Sequence, residues 1–354
     1  MRIVFTIKSI NLAGGSERST VTIANALVKR GHDVSIVSYT GSGTQPFFSI
    51  DAPIRRYYLA PQHDRYPVLI REMRRIVRLR KLYAQLRPDV IVVIGTTRAF
   101  VNVPATKGYP VIAKEYFTVD HRSQLTSALS RRWTARHAQA ILTLSDYDAE
   151  IYRQCYGAKK AVVIPNPLSL SAPQPSSLQN KVVLGLGRMS YVKGFDLLLK
   201  AWQQVQHTDW ELHLVGDGNW RPKLQQMVAN LHLRNVRFYP ATADVELHYR
   251  NASLFVLPSR SEAFGNVLLE AMSVGLPVVA FDCGAGPKAI IQDEETGIIV
   301  PAEDTAAMAH ALDELMDNPA RCKEMSEAAL LRMKQYDIDA IMAQWETLLT
   351  EVTN

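Results

Sequence analysis

Val182-Val183-Leu184-Gly185-Leu186-Gly187-Arg188-Met189-Ser190-Tyr191-Val192-Lys193-Gly194-Phe195-Asp196-Leu197-Leu198-Leu199-Lys200-Ala201-Trp202 is the stretch on which the fold turns. Its first five residues are an unbroken apolar run and read as a buried strand. From Gly194 to about residue 206 the apolar residues recur at helical spacing. Strand, glycine-punctuated loop and helix make the repeating unit of a doubly wound α/β sheet. Arg188 and Lys193 therefore stand at the carboxyl end of a strand, where such sheets bind ligands. Two fixed cations beside glycines can neutralise a diphosphate; the alternative is a surface loop with ordinary charges. Gly185-x-Gly187 has Ser190 where a dinucleotide fingerprint needs its third glycine, so that reading fails.

The same unit recurs in both directions. Downstream, strands at 182–186, 211–215, 235–238, 253–257, 277–280 and 297–300 alternate with helices at 194–206, 220–231, 243–250, 266–274 and 304–316. Helices at 319–335 and 337–352 follow. Upstream, strands at 2–7, 33–38, 89–94, 110–114, 140–144 and 161–164 surround helices at 17–30 and 66–86, the first with Ser16 as its expected N-cap. Residues 169–181, rich in Ser, Pro and Gln, read as a linker. The expectation is an α/β chain of two doubly wound domains, 1–168 and 182–335, with a final helical segment at 336–354. A length of 354 residues suits two cores.

A second segment, Ser261-Glu262-Ala263-Phe264-Gly265-Asn266-Val267-Leu268-Leu269-Glu270, follows strand 253–257 and enters an apolar helix. Glu270 lies inside that helix, so its carboxylate requires a hydroxyl or cationic partner. Glu262 precedes the helix, beside the amides of Phe264 to Val267, and amides at a helix start bind anions. Two carboxylates for hydroxyls and an amide nest for phosphate suit a nucleotide sugar. Structural glutamates that cap the helix or pair with arginines are the plain alternative.

The Glu262-to-Glu270 spacing resembles the E-x7-E signature of retaining GT-B glycosyltransferases. SEAFGNVLLEAMSVGLPVVA looks like glycosyltransferase family 4, and GRMSYVKGF resembles that family's diphosphate segment. AGGSER at 13–18 is similar to its first-domain phosphate loop. Gly216-Asp217-Gly218, Pro258-Ser259, Pro165-Asn166-Pro167 and Thr296-Gly297 fit its punctuation, and the match runs in order over nearly the whole chain. The resemblance implies a GT-B fold: two Rossmann-like domains facing a central cleft, the first binding acceptor, with the C-terminal helix crossing back to the first. It implies that Arg188 and Lys193 hold the diphosphate and support its departure, that Glu270 binds ribose, and that Glu262 with the amides of Phe264 and Gly265 binds the sugar. The amides of Asn266 and Val267, with Gly14 and Gly15, would reach phosphate. The base would sit near Phe238 to Thr242, where Pro240 replaces the usual glycine. After strand 110–114 many relatives carry a histidine; here Tyr116 holds that slot and His121 lies five residues on, and either could face the acceptor.

The implied reaction moves a hexose or N-acetylhexosamine, with retention, from a nucleotide sugar (UDP-linked first, GDP-mannose second) to a lipid-linked or polysaccharide acceptor of bacterial surface glycans. A GT-B epimerase and a non-catalytic nucleotide-sugar-binding subunit are the competing readings. No metal or other cofactor is expected: Arg188 and Lys193 stand in for the cation, and Asp146-Tyr147-Asp148 has D-x-D spacing but sits where a helix begins.

Charge divides the chain. Residues 1–165 carry 25 Lys and Arg against 11 Asp and Glu, and the remainder 15 against 23. Solvated surface charge is one reading; a surface meeting anionic lipid or nucleic acid is the other. Helix 66–86 interleaves Arg71, Arg74, Arg75, Arg78, Arg80 and Lys81, with Arg65 just before it, among aliphatic residues. It is amphipathic and cationic, as for a helix on an anionic bilayer, or else core-packed with a solvated basic face. No recognisable nucleic-acid fold accompanies it, so no nucleic acid is expected. Three dispersed cysteines, no signal-like start and no spanning segment point to the cytoplasm, with peripheral association to the inner face of the membrane.

Overall fold

The structure is a computed structural model and describes residues 1–41, 45–59, 67–116, 125–170 and 173–353. It divides into two units, one of Met1–Ser169 with the C-terminal helix and one of Leu170–Asp337.

The first unit runs β1 (Arg2–Ile7), α1 (Gly15–Lys29), β2 (Asp33–Ser38), β3 (Arg55–Tyr58), α2 (Val68–Leu86), β4 (Val90–Ile94), α3 (Ala99–Thr106), β5 (Val111–Lys114), α4 (Leu125–His137), β6 (Ala140–Thr143), α5 (Asp146–Gln154) and β7 (Ala161–Val163). All its strands pair in parallel, in the order β3-β2-β1-β4-β5-β6-β7. Helices cover both faces, so the central strands are apolar on both sides, as VIVVI of β4 shows. The edge strand β3 was not expected: Arg-Arg-Tyr-Tyr has neither an apolar run nor alternation, and it is fixed by pairing with β2 and by Arg55 on Asp33 at 2.6 Å.

The second unit runs β8 (Val182–Leu186), α6 (Phe195–Trp202), β9 (Glu211–Val215), α7 (Arg221–Asn230), β10 (Val236–Tyr239), α8 (Glu246–Arg250), β11 (Leu254–Leu257), α9 (Asn266–Ser273), β12 (Val278–Phe281), α10 (Ala285–Ile290), β13 (Gly297–Val300), α11 (Thr305–Asp317) and α12 (Pro319–Met333). Its parallel sheet has the order β10-β9-β8-β11-β12-β13. Helix α13 (Ile338–Thr353) belongs to the first unit, where Trp345 is fully buried and its ring lies 6.3 Å from that of Phe5.

Two boundaries need correction. The expected linker 169–181 is not a free tether: Ser176 donates from its N–H to Val274 O at 2.8 Å and from its hydroxyl to Ala252 O at 2.6 Å, and Leu178 packs on the second core. Its polar composition hides these clamps. Helix α1 begins earlier than expected. Gly14, not Ser16, is its N-cap, because the Gly14 carbonyl already accepts from Arg18 N–H at 3.0 Å.

Candidate active site

In each sheet the strand order reverses once, between β1 and β4 and between β8 and β11. Loops leaving adjacent strands at that point run in opposite directions and open a crevice. In the second unit these loops are 187–194 and 258–265, the two segments that carry Arg188, Lys193 and Glu262.

The two loops are locked together. Arg260 N–H donates to Val192 O at 2.8 Å. Gly194 has φ 65°, and a Cβ there would stand 1.9 Å from Pro258 O, so only glycine allows this approach. Gly216 does the same on the other flank, where a Cβ would meet Gly187 O at 2.0 Å. The result brings Lys193 Nζ to 2.5 Å from Glu262 Oε2, which also accepts from Ser259 Oγ at 3.2 Å. Both side chains keep some solvent contact, at 24% and 15% exposure. Arg188 is exposed and has no ion-pair partner among the described residues.

Glu262 leads directly into α9. Gly265, at φ 97°, is the N-cap, and it has no side-chain cap among the described residues. Phe264 is buried against Tyr336. Asn266 and Val267 form the first turn, half-buried. Glu270, one turn further, is 1% exposed and accepts from Tyr249 OH at 2.9 Å, a hydroxyl partner of the kind its burial requires. The turn after β10 is held by Asp217, which accepts from Ala241 N–H at 2.8 Å, and by Arg221, which donates to Gly216 O, Tyr239 O and Asp217. Pro240 sits exposed in that braced turn, and Thr242 accepts from Asp244 N–H.

In the first unit, Gly14 is the N-cap and Gly15 the first residue of α1. Tyr116 follows β5 but does not present its hydroxyl outward. It is buried and its OH lies 3.1 Å from Ser19 Oγ, and burial pushes its pKa above the ordinary phenol value. The Tyr116 hydroxyl is thus engaged inside the first unit. His121 lies outside the described residues.

Sequence reading missed three groups. Lys114 is fully buried, donates to Asn166 Oδ1 at 2.9 Å and lies 4.9 Å and 5.3 Å from the ring centroids of Tyr116 and Trp345. Burial lowers its pKa to about 7. Asp196 takes both guanidinium nitrogens of Arg260 at 2.8 Å. Burial alone would raise its pKa, but Arg260 outweighs that and holds it below the usual carboxylate range. Tyr249 is the third. None lies in a patterned motif, so only the tertiary contact reveals them. Asp146 and Asp148 lie in the first turn of α5: the N-cap Ser145 accepts through Oγ from Asp148 N–H at 3.2 Å and donates from its hydroxyl to the Asp148 carboxylate at 2.7 Å.

Arg188, the Lys193–Glu262 pair and the start of α9 thus meet at the switch point of the second sheet. The chain belongs to glycosyltransferase family 4 and is a glycosyltransferase of GT-B fold. The model for glycosyl transferases group 1 matches residues 170–332 and that for Glycosyltransferase Family 4 residues 13–172. An uncharacterized glycosyltransferase of Haemophilus influenzae is 30% identical over 98% of this chain and 99% of its own length. A Campylobacter jejuni α-1,4-N-acetyl-D-galactosaminyltransferase, whose acceptor is named as a GalNAc-containing diNAcBac-PP-undecaprenol, is 26% identical over 100% of this chain and 99% of its own. Among solved structures, sucrose-phosphate synthase of Thermosynechococcus elongatus superposes with a TM-score of 0.87 at 20% identity, covering 99% of both chains.

Proposed function

We propose that the chain transfers a hexose or N-acetylhexosamine, with retention, from a UDP-sugar to a lipid-linked or polysaccharide acceptor in bacterial surface-glycan synthesis. The observation that carries this reading is the 2.5 Å contact of Lys193 with Glu262 at the switch point of the second sheet. It sets a phosphate-binding cation within one hydrogen bond of a carboxylate suited to sugar hydroxyls. Arg188 and Lys193 stabilise the departing nucleoside diphosphate, aided by the amides at the start of α9; such fixed charges act most strongly where charge develops. Glu262 with the Phe264 and Gly265 amides holds the sugar, Glu270 the ribose, and the braced turn near Thr242 the base. No carboxylate need attack the anomeric carbon, unlike in retaining glycosidases; the protein supplies position and leaving-group stabilisation.

The reading is metal-independent, since the diphosphate charge is met by Arg188 and Lys193 and the D-x-D pair lies in the first turn of α5, behind its Ser145 cap. The lipid-linked acceptor draws on the Campylobacter relative. It implies work at the inner face of the membrane, reached through the cationic α2; no helix among the described residues is long and apolar enough to cross a membrane. The test is transfer from a panel of sugar nucleotides to lipid-linked acceptors, with the product's anomeric configuration read by NMR. An α-donor giving an α-product supports retention; a β-product refutes it. Epimerised donor without any acceptor, or no turnover with any donor, rejects the transferase reading.

A further inference from the structure

The Lys193–Glu262 pair joins two groups of unequal freedom. Glu262 is the fixed member. Its backbone lies against the chain that follows β12: a Cβ on Gly286 would stand 2.8 Å from Glu262 O, and one on Gly284 3.9 Å from it. On the other flank a Cβ on Gly265 would touch Glu262 Cγ at 3.5 Å. Ser259 Oγ donates to the carboxylate at 3.2 Å. Lys193 is the movable member, a flexible four-carbon stem rising from the single 3-10 turn Tyr191–Lys193. Cys283 feels both charges, but burial, reinforced by Glu262, pushes its pKa up to about 12, so the thiol stays neutral and adds no third charge. Arg260 is taken by Asp196 and Lys288 by Asp282 at 2.8 Å. Among the described residues Lys193 has no ion-pair partner besides Glu262.

One ammonium thus serves two anions. A diphosphate that binds Lys193 must draw it from a carboxylate that cannot follow and that repels the phosphate as a like charge. While a sugar is attached to the diphosphate, its hydroxyls donate to Glu262 in place of the lysine. Lys193 then passes to the phosphate without leaving the carboxylate short of donors. Once the sugar is gone, Glu262 can accept only from Ser259 and Lys193, and it pulls the lysine back.

We infer that Glu262 sets the site's preference for a sugar nucleotide over the bare nucleoside diphosphate: its pair with Lys193 is a latch that an attached sugar opens and that closes when the sugar has left. The latch eases release of the nucleotide product, a step that limits turnover in many enzymes. This rests on the reading of Lys193 as diphosphate ligand and Glu262 as sugar ligand. It goes beyond that reading, because removing a residue that holds the substrate should strengthen binding of the product.

The experiment is calorimetric titration of the full chain, parent and Glu262→Gln, with UDP, GDP, uridine and guanosine. Glutamine keeps the size of the side chain and removes its charge. For a pair with this much solvent contact, the nucleoside diphosphate that the parent binds should be held about fivefold more tightly by the variant. Affinity for the nucleoside, which has no phosphate to compete for Lys193, should not change, and turnover should fall. If circular dichroism shows that Glu262→Gln does not fold, Glu262→Asp takes its place; it draws the carboxylate back from Lys193 by one methylene and should shift the affinity in the same direction.

A nucleoside diphosphate affinity equal to or below that of the parent overturns the latch. A gain shared by the nucleoside overturns it too, since the change then lies away from the phosphate. Parent binding of UDP or GDP without a gain in the variant removes the latch and leaves the transferase reading standing. No binding of either by the parent rejects the diphosphate reading itself, and the latch with it.

Discussion

Replacing Arg260 by alanine tests the lock between the two site loops. The guanidinium makes a bidentate pair with Asp196, donates to Tyr191 O at 2.7 Å and stacks on the Tyr191 ring with Cζ 4.1 Å from its centre. The pair is only 11% and 14% exposed. Removing one partner of a fully buried pair costs about 3–5 kcal/mol. Here some water reaches both groups, and Asp196 keeps hydrogen bonds from the backbone N–H groups at the start of α6. The expected loss is therefore about 2–3 kcal/mol, and at about 2–4 °C per kcal/mol for a unit of this size the second unit's melting temperature falls by roughly 5–10 °C. The Asp196 carboxyl is held below its usual range, so the contribution is present above its unfolded pKa and is lost as pH falls through the folded value. Thermal unfolding followed by circular dichroism at pH 7 reads it in full. Asp196→Ala should cost a similar amount, and the double variant little more than either single one. Turnover should fall as well, because Tyr191 stands two residues before Lys193. A melting temperature within 1 °C of the parent, or strict additivity of the two substitutions, refutes the lock.

Three further outcomes follow from the same geometry. Tyr249→Phe removes the hydroxyl that meets buried Glu270; it should cost about 1–3 kcal/mol of stability and raise the donor KM, and an unchanged KM detaches Glu270 from the donor. Lys114 carries a folded pKa of about 7, below its unfolded value, so the unfolded chain binds more protons between those values; stability of the first unit should rise with pH above 7, by at most about 1.4 kcal/mol per unit, and denaturant titrations should show this slope vanish in Lys114→Met. Transfer activity should persist after extensive chelation with EDTA and dialysis, and a loss restored by a divalent ion would reject the assignment of diphosphate binding to Arg188 and Lys193.

Much of the fold was legible because buried parallel strands announce themselves as apolar runs closed by turn-forming residues, Gly95 after 90–94, Gly187 after 182–186, Pro258-Ser259 after 254–257 and Lys8-Ser9 after 2–7. Edge strand β3 was not, since Arg-Arg-Tyr-Tyr carries no pattern and is fixed only by its neighbour. The candidate site was legible because Arg188, Lys193, Glu262 and Glu270 lie in two short segments, each tied to a strand end. Their supports were hidden: Arg260 and Asp196 are 64 positions apart, Tyr249 and Glu270 are 21 apart, and Lys114 reads as an ordinary end-of-strand lysine until Asn166 and Trp345 close over it. The surroundings of Tyr116 were hidden too. Its position in the sequence suggested an acceptor contact, yet its hydroxyl is spent on Ser19.

The most direct test of the account is a thermal-shift titration of the parent chain and of Lys193→Ala with a panel of UDP- and GDP-sugars. Ligand that binds only the folded state raises the melting temperature by an amount that grows with the logarithm of its concentration over Kd. The account predicts that at least one sugar nucleotide stabilises the parent and that the shift is lost in Lys193→Ala, with no added metal in either case. No stabilisation by any sugar nucleotide, or the same stabilisation in the variant, contradicts it.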